Sequence, residues 1–263
     1  MNLFWATLKT SFQRALAYRA TTVVWILFGF IWLLLWPLMW LTILRSGGTL
    51  SGYTTIEVIL YFILLFLQLQ IFNSHVEDSI TSDVRGGELT LYLLRPVNYL
   101  RYEWGTEWGA RLHRMLLLSP FIVGAVVFLA FSHHWPTFWQ WLGYFILLLP
   151  LTFLRFLLSA SVGLLSFWFT EMSGWIHFFW IVESLLAGEL SPPEFMPAGW
   201  QWFIFHNPFY LVGAFPLRVL LGKVGVAEYL TSSLELLLWT ILVSSVVWLL
   251  WRRGVKRFTG IGL

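Results

Sequence analysis

Two charged side chains interrupt long apolar stretches of this sequence. Arg155 lies within residues 135–170, and Glu183 lies within residues 175–187. If these stretches cross a bilayer, each charge costs about 2.5–3.5 kcal/mol on insertion scales, so each is expected to have a partner. Two interpretations stay open: an ion pair that holds the two stretches together, or an arginine that lines a pathway and attracts an anionic headgroup.

The sequence offers few other residues for catalysis, metal binding or nucleotide binding. The chain has no cysteine, which excludes disulfides, thiolate metal sites and cysteine nucleophiles, and its six histidines are scattered. It has no Gly-x-x-x-x-Gly-Lys-Ser/Thr loop to hold ATP phosphates. The sequence therefore predicts no catalytic residue, no metal ligand and no cofactor in this chain. Any ATP and magnesium that this protein depends on must therefore bind another polypeptide.

The composition indicates what surrounds these residues. The chain is 59% hydrophobic and only 11% charged, whereas a soluble domain is about 25% charged. Its 18 Trp and nine Tyr suit a protein with two membrane–water interfaces to anchor. The prediction is an all-α integral membrane protein.

Apolar stretches give the predicted membrane spans. A bilayer core of about 30 Å needs about 20 apolar residues per helix. The candidate spans are residues 20–44, 58–72, 115–131, 135–170, 175–187 and 230–251. The sequence thus predicts six transmembrane helices in one membrane domain that covers residues 1–263.

The basic residues give the predicted orientation. Short cytoplasmic loops retain Lys and Arg, so the clusters mark the inner side. The predicted topology is therefore six spans with both ends of the chain in the cytoplasm. Twelve of the 16 basic residues lie in three such clusters: Lys9, Arg14 and Arg19; Arg85, Arg95, Arg101, Arg111 and Arg114; and Arg252, Arg253, Lys256 and Arg257.

The first 19 residues carry a regular apolar stripe. Phe4, Leu8, Phe12 and Leu16 recur every four residues. This period is typical of an amphipathic helix that lies in the membrane surface. The alternative is a lead-in to the first span. A cleaved signal peptide is not expected, because no small-x-small site follows the first apolar run.

Residues 73–114 form a long polar loop between the second and third spans. Ser74 and Glu77 have the spacing of a capping box, and Asp78 suits the first helical turn. The sequence predicts that this first helix ends at Arg85, followed by a left-handed glycine at Gly86-Gly87. Residues 88–94 form a second helical piece that ends before Pro96. A plain connecting loop is the alternative, although it would need only about 2–8 residues.

Three segments resemble the membrane subunits of type-2 ABC exporters, in the multidrug-type subgroup. The first is RGGELTLYLLRPV at residues 85–97. The second is the proline-rich stretch at residues 185–218, and the third is the tail WRRGVKRFTGIG at residues 251–262. Together they bracket nearly the whole chain in the family's order. Matching positions in the second segment are Gly188, Pro192, Pro197, Asn207, Pro208, Tyr210 and Arg218.

The resemblance implies a function for the loop. In this family the corresponding helix docks on a separate ATPase, so residues 73–114 are predicted to be a cytoplasmic coupling loop in a bacterial inner membrane. Val76, Ile80 and Val84 are expected to face the ATPase or to pack beneath the loop. Glu77, Asp78 and Asp83 are expected on its rim, and Arg85 and Glu88 complete the predicted coupling residues.

The resemblance also implies the assembly. Two permease chains, identical or related, would pair with two copies of the ATPase and export an amphipathic or lipid-like substrate. Residues 188–229 would form an outer re-entrant gate that contains the six positions from Gly188 to Tyr210. The alternative for this segment is a Trp-rich loop that lies flat on the outer interface.

A rival class is an ion-coupled secondary transporter of small hydrophobic molecules. Such transporters have interrupted helices at corresponding positions of two repeated halves. In this sequence only the second half contains an interrupted apolar segment. The sequence therefore favours the ABC permease.

Overall fold

The computed structural model describes residues 3–17, 19–45, 51–132 and 134–259. The final glycines of the tail motif lie outside the described residues. The described residues up to 93 contain five helices. These are α1 (Leu3–Ala17), α2 (Arg19–Arg45), α3 (Thr55–Phe72), α4 (Val76–Arg85) and α5 (Leu89–Leu93).

The remaining described residues contain three long helices and several short ones. Short 3₁₀ turns follow α7 and precede α9, at Leu164–Phe167 and Pro193–Phe195. The helices are α6 (Tyr99–Phe131), α7 (Phe138–Gly163), α8 (Ser173–Leu186), α9 (Ala198–Phe205), α10 (Pro208–Val212), α11 (Ala214–Leu220) and α12 (Val226–Arg257).

Five helical stretches among the described residues are long and apolar enough to cross a membrane, so the chain is a multi-pass membrane protein. The predicted fifth span corresponds to α8, which has 14 residues. At 1.5 Å per residue α8 reaches about 21 Å, less than the bilayer core. The five stretches are Thr22–Ile43, Thr55–Arg85, Tyr99–Phe131, Phe138–Phe167 and Val226–Arg257.

Local sequence explains where two of these stretches begin. Thr54 caps α3 by accepting from the Glu57 amide at 3.3 Å, while the Glu57 carboxylate accepts from the Thr54 amide at 2.7 Å. Thr137 and Gln140 form the same capping box at the start of α7. Such boxes satisfy amide donors that the first helical turn leaves free.

The predicted N-terminal helix is present as α1, and it packs along α6. Gly105 and Gly109 of α6 provide the close approach, since a Cβ at either position would meet Thr7 or Ser11 of α1 within 2.6 Å. Thr7 is buried, whereas Leu16 of the predicted apolar stripe is 41% exposed. The face that α1 buries against protein is therefore centred on its small polar residues.

The core lies around α3 and α7, and α11 packs between them. The Gln68 amide of α3 donates to the carbonyls of Val212 and Gly213 at 2.9 and 2.8 Å. Gln68 lies 13 residues into α3, about 20 Å from the start of that helix. The segment that holds α8 to α11 therefore reaches deep into the bundle. We call the end of the bundle that holds Asn73–Arg85 the α4 end, and the opposite end the Arg218 end.

Candidate functional site

The helix α4 packs directly against α7 at positions where α7 has small residues. A Cβ added at Gly163 would lie 2.9 Å from the Cα of Glu77 and from the Cβ of Ile80. The Ser159 hydroxyl accepts from the Glu77 amide and donates to the Ser74 carbonyl, both at 3.3 Å. The two helices are therefore in direct contact at Gly163, with the backbone of α4 against α7.

The predicted apolar stripe of α4 is buried in this contact. Val76, Ile80 and Val84 all lie in the core. Of the two expected positions, facing a partner or packing beneath the loop, the structure gives the second. Any partner that binds this end of the chain must therefore use other side chains.

The predicted capping box at Ser74 and Glu77 is wrong. The N-cap of α4 is His75, and no side chain caps the helix there. The close approach of α7 supplies Ser159 to the Ser74 carbonyl, and α8 supplies Trp180, whose indole donates to Glu77 Oε1 at 2.7 Å. These distant partners replace the local bonds that the spacing predicted.

The predicted acidic rim is only partly exposed. Glu77 is fully buried, and Asp83 is buried where it accepts from the Tyr99 hydroxyl at 2.7 Å. Their placement on the rim is a wrong prediction, because α8 covers the first and α6 covers the second. Asp78 and Glu88 are exposed as expected, and Arg85 is partly exposed.

The structure brings Arg155 and Glu183 together. Arg155 Nε lies 2.6 Å from Glu183 Oε1, and its Nη2 donates to Oε2 at 2.9 Å, so the pair is bidentate. Arg155 Nε also donates to Asn73 Oδ1 at 2.8 Å. Both charged side chains are buried in protein. The pair therefore joins α7 and α8 to the junction between α3 and α4.

The short helix α5 has a different character from α4. It follows Gly87, whose φ of 76° confirms the predicted left-handed glycine. Leu89 is buried, whereas Leu91 and Leu94 are 56% and 79% exposed. Burial raises the pKa of the Tyr92 phenol above its ordinary value. The loop thus presents apolar side chains outward from α5, beside the exposed charges of Glu88 and Arg95.

The chain turns sharply after α8 and again between α10 and α11. The Tyr61 hydroxyl donates to the carbonyl of Gly188 at 2.7 Å, and Gly188 has a φ of 86° that favours glycine. A Cβ at Gly213 would meet the Ala187 carbonyl oxygen at 2.2 Å. Close backbone contacts therefore fix both turns of this segment.

The other predicted gate residues occupy this segment in different environments. Asn207 caps α10 by accepting from the Tyr210 amide at 2.9 Å, and Pro208 is the first residue of that helix. Pro192 is buried, whereas Pro197 is exposed before α9. The gate residues are thus spread along the segment, and they do not converge on one point.

Arg218 ties the segment together. Its Nε lies 2.5 Å from Glu194 Oε1, and Nη1 binds the Tyr210 hydroxyl and Glu228. Its guanidinium also lies over the Phe205 ring, 4.8 Å from the centroid. One side chain thus joins α11 to the Pro193–Phe195 turn, to α10 and to α12.

A second ion pair lies beside it. Lys223 Nζ lies 2.6 Å from Glu57 Oε1 at the start of α3. The same ammonium lies 4.7 Å from the centroid of the Tyr53 ring. Burial raises the pKa of the Tyr53 phenol, and the nearby Glu194 carboxylate raises it further. Tyr53 therefore stays a neutral hydroxyl at physiological pH.

Sequence reasoning missed the partners of Arg218 and the role of Trp180. The sequence identifies Arg218 only as the last matching position of the second family-like segment. Four isolated charges, Glu194, Arg218, Lys223 and Glu228, stand in a stretch that is otherwise mostly apolar. That isolation is a usable signal, because buried charges need partners.

Comparison with known protein families gives one match. The family model described as ABC-2 family transporter protein matches residues 30–262, which is most of the chain. It includes all the helices from α3 to α12. Comparison with curated proteins finds none that matches.

Proposed function

Because the chain belongs to the ABC-2 transporter family, we propose that it is the membrane-spanning permease subunit of an ATP-driven exporter. Members of this family are membrane transport subunits that normally work with a separate ATPase subunit. In this proposal ATP and magnesium bind that partner. The substrate is amphipathic or lipid-like, in keeping with the apolar interior of the bundle.

The observation that carries the proposal is the contrast between α4 and α5. The helix α4 is fixed to α7 at Gly163 and Ser159, and through Glu77 to Trp180 of α8. A force on the coupling loop would therefore reach two membrane helices without passing through a flexible joint. This is what a coupling element between an ATPase and a permease requires.

The docking surface that we propose is α5 with the residues around it. Leu91 and Leu94 are exposed, and Glu88, Arg95 and Asp78 supply exposed charge. Apolar side chains surrounded by charged ones are the usual make-up of a protein interface. The ATPase would thus contact α5 and the exposed face of α4, with the buried face of α4 passing the force inward.

We further propose that the α4 end faces the cytoplasm and the Arg218 end faces outward. The basic clusters at residues 85–114 and 252–257 lie at the α4 end, as the positive-inside rule expects. The short α8 then enters from the cytoplasmic side and stops within the bilayer. The chain from Gly188 onward turns back as a re-entrant gate, which gives six crossings in effect.

The depth of α10 and α11 supports this re-entrant arrangement. Non-helical backbone at membrane depth is tolerated only where protein or a wet cavity surrounds it. The helix break at Gly213 is surrounded by protein. The Gly213 carbonyl accepts from Gln68, and its Cα lies against Ala187. A loop lying flat on the membrane surface would make neither contact.

Two permease chains with two ATPases would complete the transporter.

The experiment is purification of the tagged full-length chain from its native host, with mass spectrometry of the proteins that remain bound. A chain that carries a nucleotide-binding loop should be recovered. The double substitution Leu91→Ser and Leu94→Ser should lower its recovery about tenfold or more, because central apolar contacts dominate interface energies. Asp78→Lys should lower recovery less, since a rim charge acts mainly on the association rate.

The matched control is Leu16→Ser on α1, which removes an exposed leucine away from α5. It should leave recovery unchanged. If no ATPase is recovered with the unaltered chain, or if the purified chain moves a substrate alone, the proposal is wrong. If an ATPase is recovered equally with the α5 variant, the docking surface lies elsewhere.

A further inference from the structure

A cavity of about 400 Å³ lies between α8, α9, α10 and α12. Four of its walls are aromatic: Trp202, Phe203, Phe209 and Trp239. His206 forms part of the rim, stacked on Trp202 with 5.1 Å between the ring centroids. Volume and aromatic lining are those of a small-molecule site. The proposed function as stated above leaves this cavity without an assigned ligand.

A carboxylate lies behind the rim of the cavity, next to His206. Glu235 lies one helical turn before Trp239 on α12, so the two side chains share a face of that helix. Its Oε1 lies 3.6 Å from Nε2 of the rim residue His206. Its Oε2 is buried and has no hydrogen-bond partner among the residues that the structure describes. A carboxylate within a membrane helix is costly, and such residues commonly mark a substrate or ion site.

The neighbouring polar groups do not satisfy this carboxylate. Nδ1 of His206 lies 2.7 Å from the Trp202 carbonyl, and because a carbonyl only accepts, Nδ1 carries the proton. Nε2 is then the ring nitrogen that faces Glu235, at a distance beyond a hydrogen bond. The Trp239 indole donates to the His206 carbonyl at 3.1 Å. Glu235 therefore lies behind His206 of the rim, with unused acceptor capacity at Oε2.

We propose that the cavity binds an organic cation that has an aromatic or bulky apolar body. The faces of Trp202 and Trp239 attract a cation through their ring quadrupoles, and this attraction is strongest for Trp and in desolvated sites. Glu235 supplies the counter-charge, and the remaining aromatic walls hold the apolar body. This inference rests on the proposed function in one respect: it narrows the amphipathic cargo of the transporter to a cationic class.

The test compares two probes of equal shape and opposite charge. The full-length chain in nanodiscs of zwitterionic lipid is dialysed against tetraphenylphosphonium or tetraphenylborate, and empty nanodiscs give the background. The cation should bind to the protein above background, and the anion should bind at least about tenfold more weakly. Equal binding of both probes would overturn the proposal, because it would make the site a purely apolar one.

Variants then assign the binding to this cavity. Glu235→Gln should weaken tetraphenylphosphonium binding about tenfold or more, which corresponds to about 1.4 kcal/mol, and should leave tetraphenylborate unaffected. Glu171→Gln is the matched control, since it removes an exposed carboxylate from the α7–α8 connection. Unchanged cation binding by Glu235→Gln would overturn the proposal.

A second pair of variants guards against a folding failure. Trp202 is 73% exposed, so its replacement is expected to leave the fold intact. Trp202→Leu should weaken cation binding several-fold, while Trp202→Phe should keep most of it, because only the second retains a ring. Equal loss in both would contradict a cation–π contact.

These outcomes are independent of the ATPase. Binding is measured on the permease chain alone, whereas the proposed function is tested by recovery of the ATPase. Cation binding without a recovered ATPase would leave this site standing and refute the exporter. A recovered ATPase without cation binding would support the exporter and refute this site.

Discussion

Two arginines hold the two ends of this molecule, and they do so in different ways. Arg155 forms one bidentate pair with Glu183, with side chains 0% and 6% exposed. Arg218 reaches several acceptors, among them Glu194 and Glu228, whose side chains are 18% and 39% exposed. The first is a dry pair between two helices. The second is a branched, partly hydrated network that joins four segments.

This difference separates the tasks of the two ends. A buried pair resists opening, because separating its members leaves a charge in a medium of low dielectric constant. A hydrated network exchanges its bonds with water at little cost. The α4 end is therefore built to transmit motion as a unit, and the Arg218 end is built to change its contacts. The proposed exporter would need both properties, the first beside the ATPase and the second at its outer end.

The largest effect is expected from breaking the dry pair. Arg155→Leu leaves Glu183 buried without a partner and should lower the free energy of unfolding by about 3–5 kcal/mol. Thermal unfolding in detergent measures the loss. The double variant Arg155→Leu, Glu183→Leu should recover most of it. Wild-type stability in the single variant, with altered substrate preference, would instead support the interpretation of Arg155 as a pathway residue.

A smaller loss is expected at the contact between α4 and α7. Gly163→Ala places a Cβ 2.9 Å from the Glu77 Cα, so the backbone of α4 must move. Overpacking of this kind costs about 1–3 kcal/mol. We expect a lower unfolding temperature and faster tryptic cleavage after Arg95. Gly174→Ala on α8, where nothing lies within 4 Å, is the control; equal behaviour of the two variants would refute the tight contact.

At the other end, Arg218→Gln should cost about 1–2 kcal/mol, because its carboxylate partners are already partly hydrated. The effect should be local. Hydrogen exchange should become faster in the amides of α10 and α11 and stay unchanged in α4. If α4 also loses protection, the two ends are not separate in the way that their arginines suggest.

The smallest effect is expected from Glu228, the most exposed partner of Arg218. Glu228→Gln should cost less than about 1 kcal/mol, and raising the salt concentration in the unaltered protein should produce a similar change, since exposed pairs are screened. Glu183→Gln provides the contrast at the dry end, where salt should have no effect. Hydrogen exchange at low and high salt measures both, and a salt-sensitive α4 end would reverse the comparison.

The features that were predictable from sequence are those with a local cause. The long apolar helices follow from composition, and the end of α4 at Arg85 with a left-handed Gly87 follows from turn chemistry. The pairing of Arg155 with a carboxylate follows from the cost of a buried charge. What failed was local reasoning where distant residues intervene: Glu77 turns inward to Trp180, which lies 103 positions later.

The same cause explains the missed network at Arg218. Its acceptors come from segments whose mutual placement depends on the two turns at Gly188 and Gly213. Sequence spacing carries no information on such a placement. The exposed leucines of α5 could not be predicted for a related reason. The resemblance marks the loop as a whole, and only packing shows which of its apolar residues are already covered.

The unbroken course of α12 connects the two ends mechanically. Near its last turn, Gly254 lies against the Phe167 ring, while Glu228 in its first turn binds Arg218. These contacts are 26 residues apart, about 39 Å at 1.5 Å per residue. A tilt of only about 10° around the Gly254 contact would swing Glu228 sideways by about 7 Å, more than the reach of an ion pair. A slight rocking at one membrane face would thus be amplified into the release of a bond at the other.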